Sequence, residues 1–207
     1  VRELVRRVDH HLRGGDPADL VLPEFPNAEQ RALLEGRRVH VAGEDHVLTV
    51  VAPDRVGLFS RVAGVLALHG LEVVSADVTS VDEMALEVFR VTSRFGSLVP
   101  WDRVEAHVQA ALAGRLAIEA RLADRTRTYA PSPSRPDLPP PAVRFDDAAS
   151  RTATVVEVHA RDRIGLLYRV TRAFAEFDLD VRTAKVQTLG ELVVDAFYLT
   201  HADGKVW

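Results

Sequence analysis

Two short stretches of this chain hold residue types that could handle a small charged molecule. They are APDRVGLF, with Asp54, Arg55, Gly57 and Leu58, and ARDRIGLL, with Asp162, Arg163, Gly165 and Leu166. In each, a Val-rich extended run turns through Asp-Arg-x-Gly-Leu into a pattern of helical spacing. A helix starting there has several backbone N–H groups without intrahelical acceptors. Those donors and the helix dipole suit a carboxylate, an interaction worth about 0.3–1 kcal/mol when exposed and up to ~2 kcal/mol when partly buried. Glycine has no Cβ, so a ligand can come close to the main chain. Asp54 and Asp162, beside that anion position, could take an ammonium, so one corner could read both charges of an amino acid. The competing reading is that each aspartate caps its own helix and each glycine only serves a turn. What partners the amides decides between them.

The corners belong to a longer duplication. Shifted by 108 positions, Val47 to Thr92 lies over its second copy without a gap. Arg61, Val62, Leu71, Val73, Ala76, Val78, Phe89 and Thr92 then meet identical residues at Arg169, Val170, Leu179, Val181, Ala184, Val186, Phe197 and Thr200. Recurrence within one chain marks a duplicated structural unit.

The elements that position the corners read alike in both copies. β-rich runs at His46–Ala52 and Thr154–Ala160 lead in. Leu58, Val62, Val65 and Leu66 keep helical spacing, as do Leu166, Val170, Ala173 and Phe174. Gly70 and Asp178 follow as stops. Two strands come next, Glu72–Ser80 and Met84–Ser93 in the first copy, Asp180–Thr188 and Leu192–Thr200 in the second. The fold class is α+β, with tandem ferredoxin-like βαββαβ modules.

In the first copy, Trp101, Val104, Val108, Ala111 and Leu112 give the second helix, running on past Gly114 towards Ala123. The Pro-rich stretch near 130–141 is read as a loop within the first module, because Val143–Phe145 is the remaining candidate for that module's last strand. The second copy stops at Trp207 after its third strand, so the chain is expected to be a fragment, or to complete the fold with a partner; alone it would leave an apolar sheet face open. The expected organisation is a helical tail over 1–37, a first module over 38–147 and a second over 148–207. In the tail, Leu4, Val5, Val8 and Leu12 are amphipathic, Asn27 and Gln30 form a capping pair, and Gly36 ends a short helix. Val39 and Val41 suggest an extra strand entering the module.

Composition narrows the chemistry. The chain has 207 residues, a net charge of −4 and no cysteine, which excludes disulfides, thiolate chemistry and cysteine-held metals. Interspersed charges give no reason to expect nucleic acid or an anionic membrane. An RNA-binding use of the same layout would need exposed strand aromatics, and Met84–Thr92 offers only Phe89. No run reaches the roughly 20 apolar residues of a membrane span.

The corner resembles that of the ACT domain, a sensing module that usually binds amino acids between two copies. The family commonly has proline where this chain has Val56 and Ile164. The likeness goes further. DRVGLFSRVAGVLALHGLEVVSADV, the Trp101-Asp102 helix, the Pro-rich loop, VRFDDAAS, and the stretch from DRIGLL to HADGK together resemble the C-terminal tandem of bifunctional PII uridylyltransferase/uridylyl-removing enzymes. Actinobacterial counterparts include adenylyltransferases. TLGE followed by DAFYLTHADGK is the most specific part. The resemblance implies glutamine as ligand of the two corners, the PII protein as partner of the parent enzyme, and a cytoplasmic setting. It also implies pairing of ACT modules within the chain or in a homodimer, and it makes the N-terminal helices the end of a phosphohydrolase domain. The alternative is an ACT-type module of purely structural use, with no ligand.

No catalytic motif is read here. There is no Gly-Ser corner with paired aspartates to hold Mg²⁺, so that ion is implied only for the parent's catalytic domains and no cofactor is expected in this segment. Asp9-His10-His11 is read as a solvated stripe, since adjacent helical positions face different ways. His69 is read as a core-edge residue, and Arg61 and Arg169 as surface. Glu87 and Asp195 are acids at one strand position among apolar neighbours. Ala76, Val78, Ala184 and Val186 share the helix-side face of their strands, with Ser75, Asp77, Thr183 and Lys185 on the other, where Asp77 could meet Lys185.

Overall fold

The structure is a computed structural model that describes residues 24–93, 98–128, 139–189, 192–201 and 204–206. The amphipathic pattern at Leu4–Leu12, the Asp9-His10-His11 run, residues 130–138 of the Pro-rich stretch, and Gly190-Glu191 lie outside them.

Helix α1 (Ala28–Glu35) starts on the expected reciprocal cap: the Asn27 side chain accepts from the Gln30 N–H at 2.8 Å, and Gln30 Oε1 accepts from the Asn27 N–H at 2.9 Å. Strands β1 (His40–Glu44) and β2 (Val47–Pro53) form a hairpin in which Glu44 faces Val47. Helix α2 (Leu58–Leu68) and strands β3 (Leu71–Val81) and β4 (Met84–Ser93) complete the first repeat's core. Two helices follow, α3 (Trp101–Leu112) and α4 (Ile118–Thr128), instead of one that runs on. The break falls at Gly114, whose φ of +70° no helix can carry. The second half contains β5 (Ala142–Asp146), β6 (Thr154–Arg161), α5 (Leu166–Glu176), β7 (Asp180–Leu189), β8 (Leu192–His201) and the short β9 (Gly204–Lys205).

One antiparallel sheet runs in the order β1-β2-β4-β3-β7-β8-β6-β5, with β9 added to β8. Its centre is the β3–β7 pair, where Ala76 lies opposite Ala184, its own counterpart in the duplication. Ser75 faces Lys185 and Asp77 faces Thr183, so a pseudo-twofold axis relates the repeats. Ala76 and Ala184 are fully buried. The Asp77–Lys185 contact is present at 3.9 Å, and Asp77 also takes Arg90 at 3.2 Å.

Val143–Phe145 does not close the first module. It lies in β5 and pairs with β6, Val143 opposite Val158 and Phe145 opposite Val156. The edge expected for it beside β2 is already occupied by β1. Each repeat thus takes its outer strand from the segment before it.

Helices α2 to α5 pack on one face of the sheet. Val62, Val65, Leu66, Val104 and Val108 meet Leu48, Val50 and Phe89 there, and Val156, Phe197 and Leu199 extend the same core into the second repeat. α1 covers the other face at β2 and β4, where Leu34 packs with Val51, Met84, Leu86 and Val88. Large apolar side chains are exposed on β5, where Val143 and Phe145 are 54% and 57% exposed, and also at Val74 and Val81 of β3 and at Phe177 after α5. Further in, α4 spans both repeats: Ile118 lies over Gly64, and Leu122 over Gly165.

Candidate functional site

Both corners have the same backbone. Gly57 (φ +82°, ψ +6°) and Gly165 (φ +75°, ψ +15°) are the N-caps of α2 and α5, in the left-handed region that favours glycine. The Leu58 N–H donates to the Arg55 carbonyl at 3.0 Å, and the Leu166 N–H to the Arg163 carbonyl at 2.9 Å. The first helical bonds run from Arg61 to Gly57 and from Arg169 to Gly165.

Neither helix has a side-chain cap. Asp54 and Asp162 stand three residues before the N-cap, too far back along the turn to serve as one. The alternative that each aspartate seals its own helix is therefore set aside. Ser60 does not seal it either, because its hydroxyl donates to the Gly57 carbonyl at 2.9 Å. The Phe59 and Ser60 amides have no acceptor among the described residues.

The first corner opens onto the junction of the repeats. Asp54, Arg55, Gly57 and Leu58 line a cleft with Glu87 from β4 and Ser80 from β3; the opposite wall is Thr171 and Ala175 of α5 and Leu179–Arg182 at the start of β7. The twofold arrangement produces this meeting, since it brings the end of one repeat's helix to the other's corner. Three carboxyls converge. Burial, reinforced by Asp54, pushes the pKa of Glu87 well up, and Asp180 is raised by burial and then by Asp54. Glu87 is 2% exposed and its Oε2 has no hydrogen-bond partner. Arg55 and Arg182 are the cations of the lining; Arg182 donates from Nε to Thr200 Oγ1 at 3.0 Å within its own repeat and from Nη1 to Ser80 Oγ at 3.4 Å across the repeats. The cavity in the cleft is about 20 Å³, room for a single water. A larger guest requires the walls to part.

The second corner is packed. A Cβ at Gly165 would lie 3.2 Å from Leu122 Cδ1, whereas one at Gly57 would meet only Ala175 Cβ and Ser60 Oγ, each at 3.6 Å. Tyr168, 8% exposed, replaces Ser60 in the duplication. Arg163 is exposed, while Gly165 is buried. Asp162 does retain the carboxyl relation of the first corner. Asp195, 1% exposed and with Oδ1 unpartnered, has its pKa pushed up to about 7 by burial; a hydrogen bond from the Gln187 backbone opposes the shift and Asp162 adds to it.

Sequence reasoning brought Asp54, Arg55, Gly57 and Leu58 to one place, but it treated the corners as equals. It missed Thr171, Asp180 and Arg182, which join the site only through the twofold. The duplicated acids Glu87 and Asp195 were the visible signal of carboxyls beneath each corner.

Residues 46–97 match the family model for the ACT domain. The chain carries an ACT domain. Its strand-to-helix corner is the open one, and its tandem partner, the second repeat, lies outside the matched span. The chain is also similar to longer proteins, each named bifunctional uridylyltransferase/uridylyl-removing enzyme. That of Streptomyces coelicolor is 43% identical over 76% of this chain and 20% of its own length. That of Azospirillum brasilense is 37% identical over 85% of this chain and 19% of its own, and that of Rhodospirillum rubrum 38% over 75% and 17%. The chain spans about a fifth of the length of these relatives. Among the described residues, no group of three His, Asp or Glu could hold a metal ion, and no helix is long and apolar enough to cross a membrane.

Proposed function

We propose that this ACT tandem is the amino-acid-sensing region of a cytoplasmic enzyme that attaches nucleotides to the PII signalling protein and removes them, and that its ligand is glutamine. The observation that carries the reading is a pairing of opposite chemistries in one cleft: Phe59 and Ser60, whose amides are uncapped, line it together with the carboxyls of Asp54, Glu87 and Asp180. An α-carboxylate suits the first group and an α-ammonium the second. The relatives' names support the parent activity, with Mg²⁺ serving catalytic domains outside this chain.

Because the cleft is built from both repeats, a guest there acts on how they are set against each other. Binding that favours one setting shifts the attached enzyme by a coupling free energy of about 1–3 kcal/mol. With Gly165 covered by Leu122, the expected stoichiometry is one glutamine per chain.

Calorimetry with glutamine and glutamate tests this. Saturable heat is expected with glutamine, one equivalent per chain, weaker with glutamate and lost in Asp54→Ala. Absence of heat with glutamine, together with unchanged regulation of the full-length enzyme by Asp54→Ala, would support the purely structural alternative.

A further inference from the structure

Outside the cleft, cationic side chains surround a second hollow. The end of α2, the start of α3 and one face of α4 enclose about 360 Å³, lined chiefly by His69, Arg103, His107, Arg121 and Arg125. No carboxylate lines it. The acids of the surrounding helices are engaged elsewhere or point away: Glu105 accepts the Gly43 N–H at 2.8 Å, Glu119 pairs with Arg172, Asp124 pairs with Arg127, and Asp102 lies outside the lining. Among the described residues, Arg103 and Arg121 have no ion-pair partner.

The rest of the hollow is prearranged. Arg125 donates from Nη1 to the Leu68 carbonyl at 2.9 Å, which fixes its guanidinium at the end of α2. His69 Nε2 and His107 Nδ1 are 2.9 Å apart, one donating and the other accepting. Burial, and then His107, Arg103 and Arg125, hold the pKa of His69 down at about 4, so its ring is neutral at neutral pH. Pro100, the N-cap of α3, also lines the space, and that helix start has no side-chain cap. Arg103 and Arg121 bring like charges to one hollow, where they repel each other, and a multiply charged anion offsets this. Guanidinium forks match the oxygens of a phosphoryl group.

We propose that this hollow binds a phosphoryl group, carried either by free phosphate or by a nucleotide, at a site separate from the cleft between the repeats. The site does not depend on the amino-acid reading. Arg121 and Arg125 flank Leu122 along α4, so an anion held here ties the helix that covers Gly165 to α2 and α3.

The test is titration of the whole chain with inorganic phosphate and with ADP at constant ionic strength, followed by calorimetry and by the histidine ring resonances. Saturable binding that shifts the His69 and His107 signals is expected. Arg103→Gln and Arg121→Gln, both at exposed positions, are expected to weaken it at least tenfold, and Arg115→Gln, outside the hollow, to leave it unchanged. Tighter binding of ADP assigns the site to a nucleotide, and equal binding assigns it to the phosphoryl group alone. Non-saturating binding, unmoved histidine signals in the unsubstituted chain, or full affinity in both arginine variants would overturn the proposal.

Discussion

Replacing Asp195 with asparagine should change how the fold responds to pH. The carboxyl lies on the inner face of β8, 1% exposed, and burial moves its pKa from 3.8 to about 7. The folded protein therefore keeps a proton that the unfolded chain releases between those values. The unfolded state binds fewer protons in that window, so stability falls as pH rises through it, and the loss is complete above pH 7. At 1.36 kcal/mol per unit, a separation of about three units sets an upper bound of about 4 kcal/mol. Some hydration of the ionised carboxyl reduces this, and about 2 kcal/mol is a reasonable expectation. Asparagine still accepts from the Gln187 backbone but cannot ionise. The variant should match the parent chain, or fall slightly below it, near pH 4.5 and exceed it by about 2 kcal/mol at pH 8. His69 contributes with the opposite sign: its depressed pKa gives stability that is lost as pH falls from 6.5 towards 4. Because His69 is present in both proteins, the difference between them isolates Asp195. Urea unfolding followed by circular dichroism from pH 4.5 to 8.5 measures it. Parallel stability profiles would show that the buried carboxyl ionises normally, and the account of Asp195 would be wrong.

Three further outcomes follow from packing. Gly64→Ala puts a methyl 2.5 Å from Ile118 Cγ2 and 2.9 Å from Tyr168 Cδ2, so unfolding midpoints should drop by an equivalent of about 1–3 kcal/mol. A double-mutant cycle on Asp77→Asn and Lys185→Gln should give a coupling below about 1 kcal/mol, because the pair is partly exposed and Asp77 keeps Arg90. Leu122→Ala should cost about 2–5 kcal/mol and uncover the second corner; calorimetry should then find two equivalents of glutamine per chain, and a count that stays at one would refute the assignment of Leu122 as the cover.

Most of the architecture was legible because the chain states it twice. The 108-residue shift that aligned Asp54 with Asp162 also places Ala76 against Ala184, the pair on the axis of the structure. Asp77 and Lys185 were likewise readable as neighbours. The partner of Val143–Phe145 was not, since a strand of five residues shows that it is extended and not which edge it joins. The split between α3 and α4 turned on the backbone of Gly114, which a helical spacing pattern does not report. At the candidate site, the corner residues were visible as a motif. Asp180 and Arg182 were not, because nothing local marks them; they matter only once two remote segments are folded face to face. Leu122 had even less signal, being an ordinary apolar residue on a polar helix.

The position of β1 and β5 ahead of the units they complete has a kinetic side. Each outer strand joins its neighbour as a hairpin or over a short connection, and need not return from beyond two helices. Such pairings have small sequence separation, which lowers the entropy of ring closure and speeds formation. As a nascent polypeptide lengthens, the border of each half-sheet is already in place when the interior strands arrive. Among the described strands, β3 and β7 form the one ladder that must find a partner more than a hundred residues away, and its zippering is expected to come late.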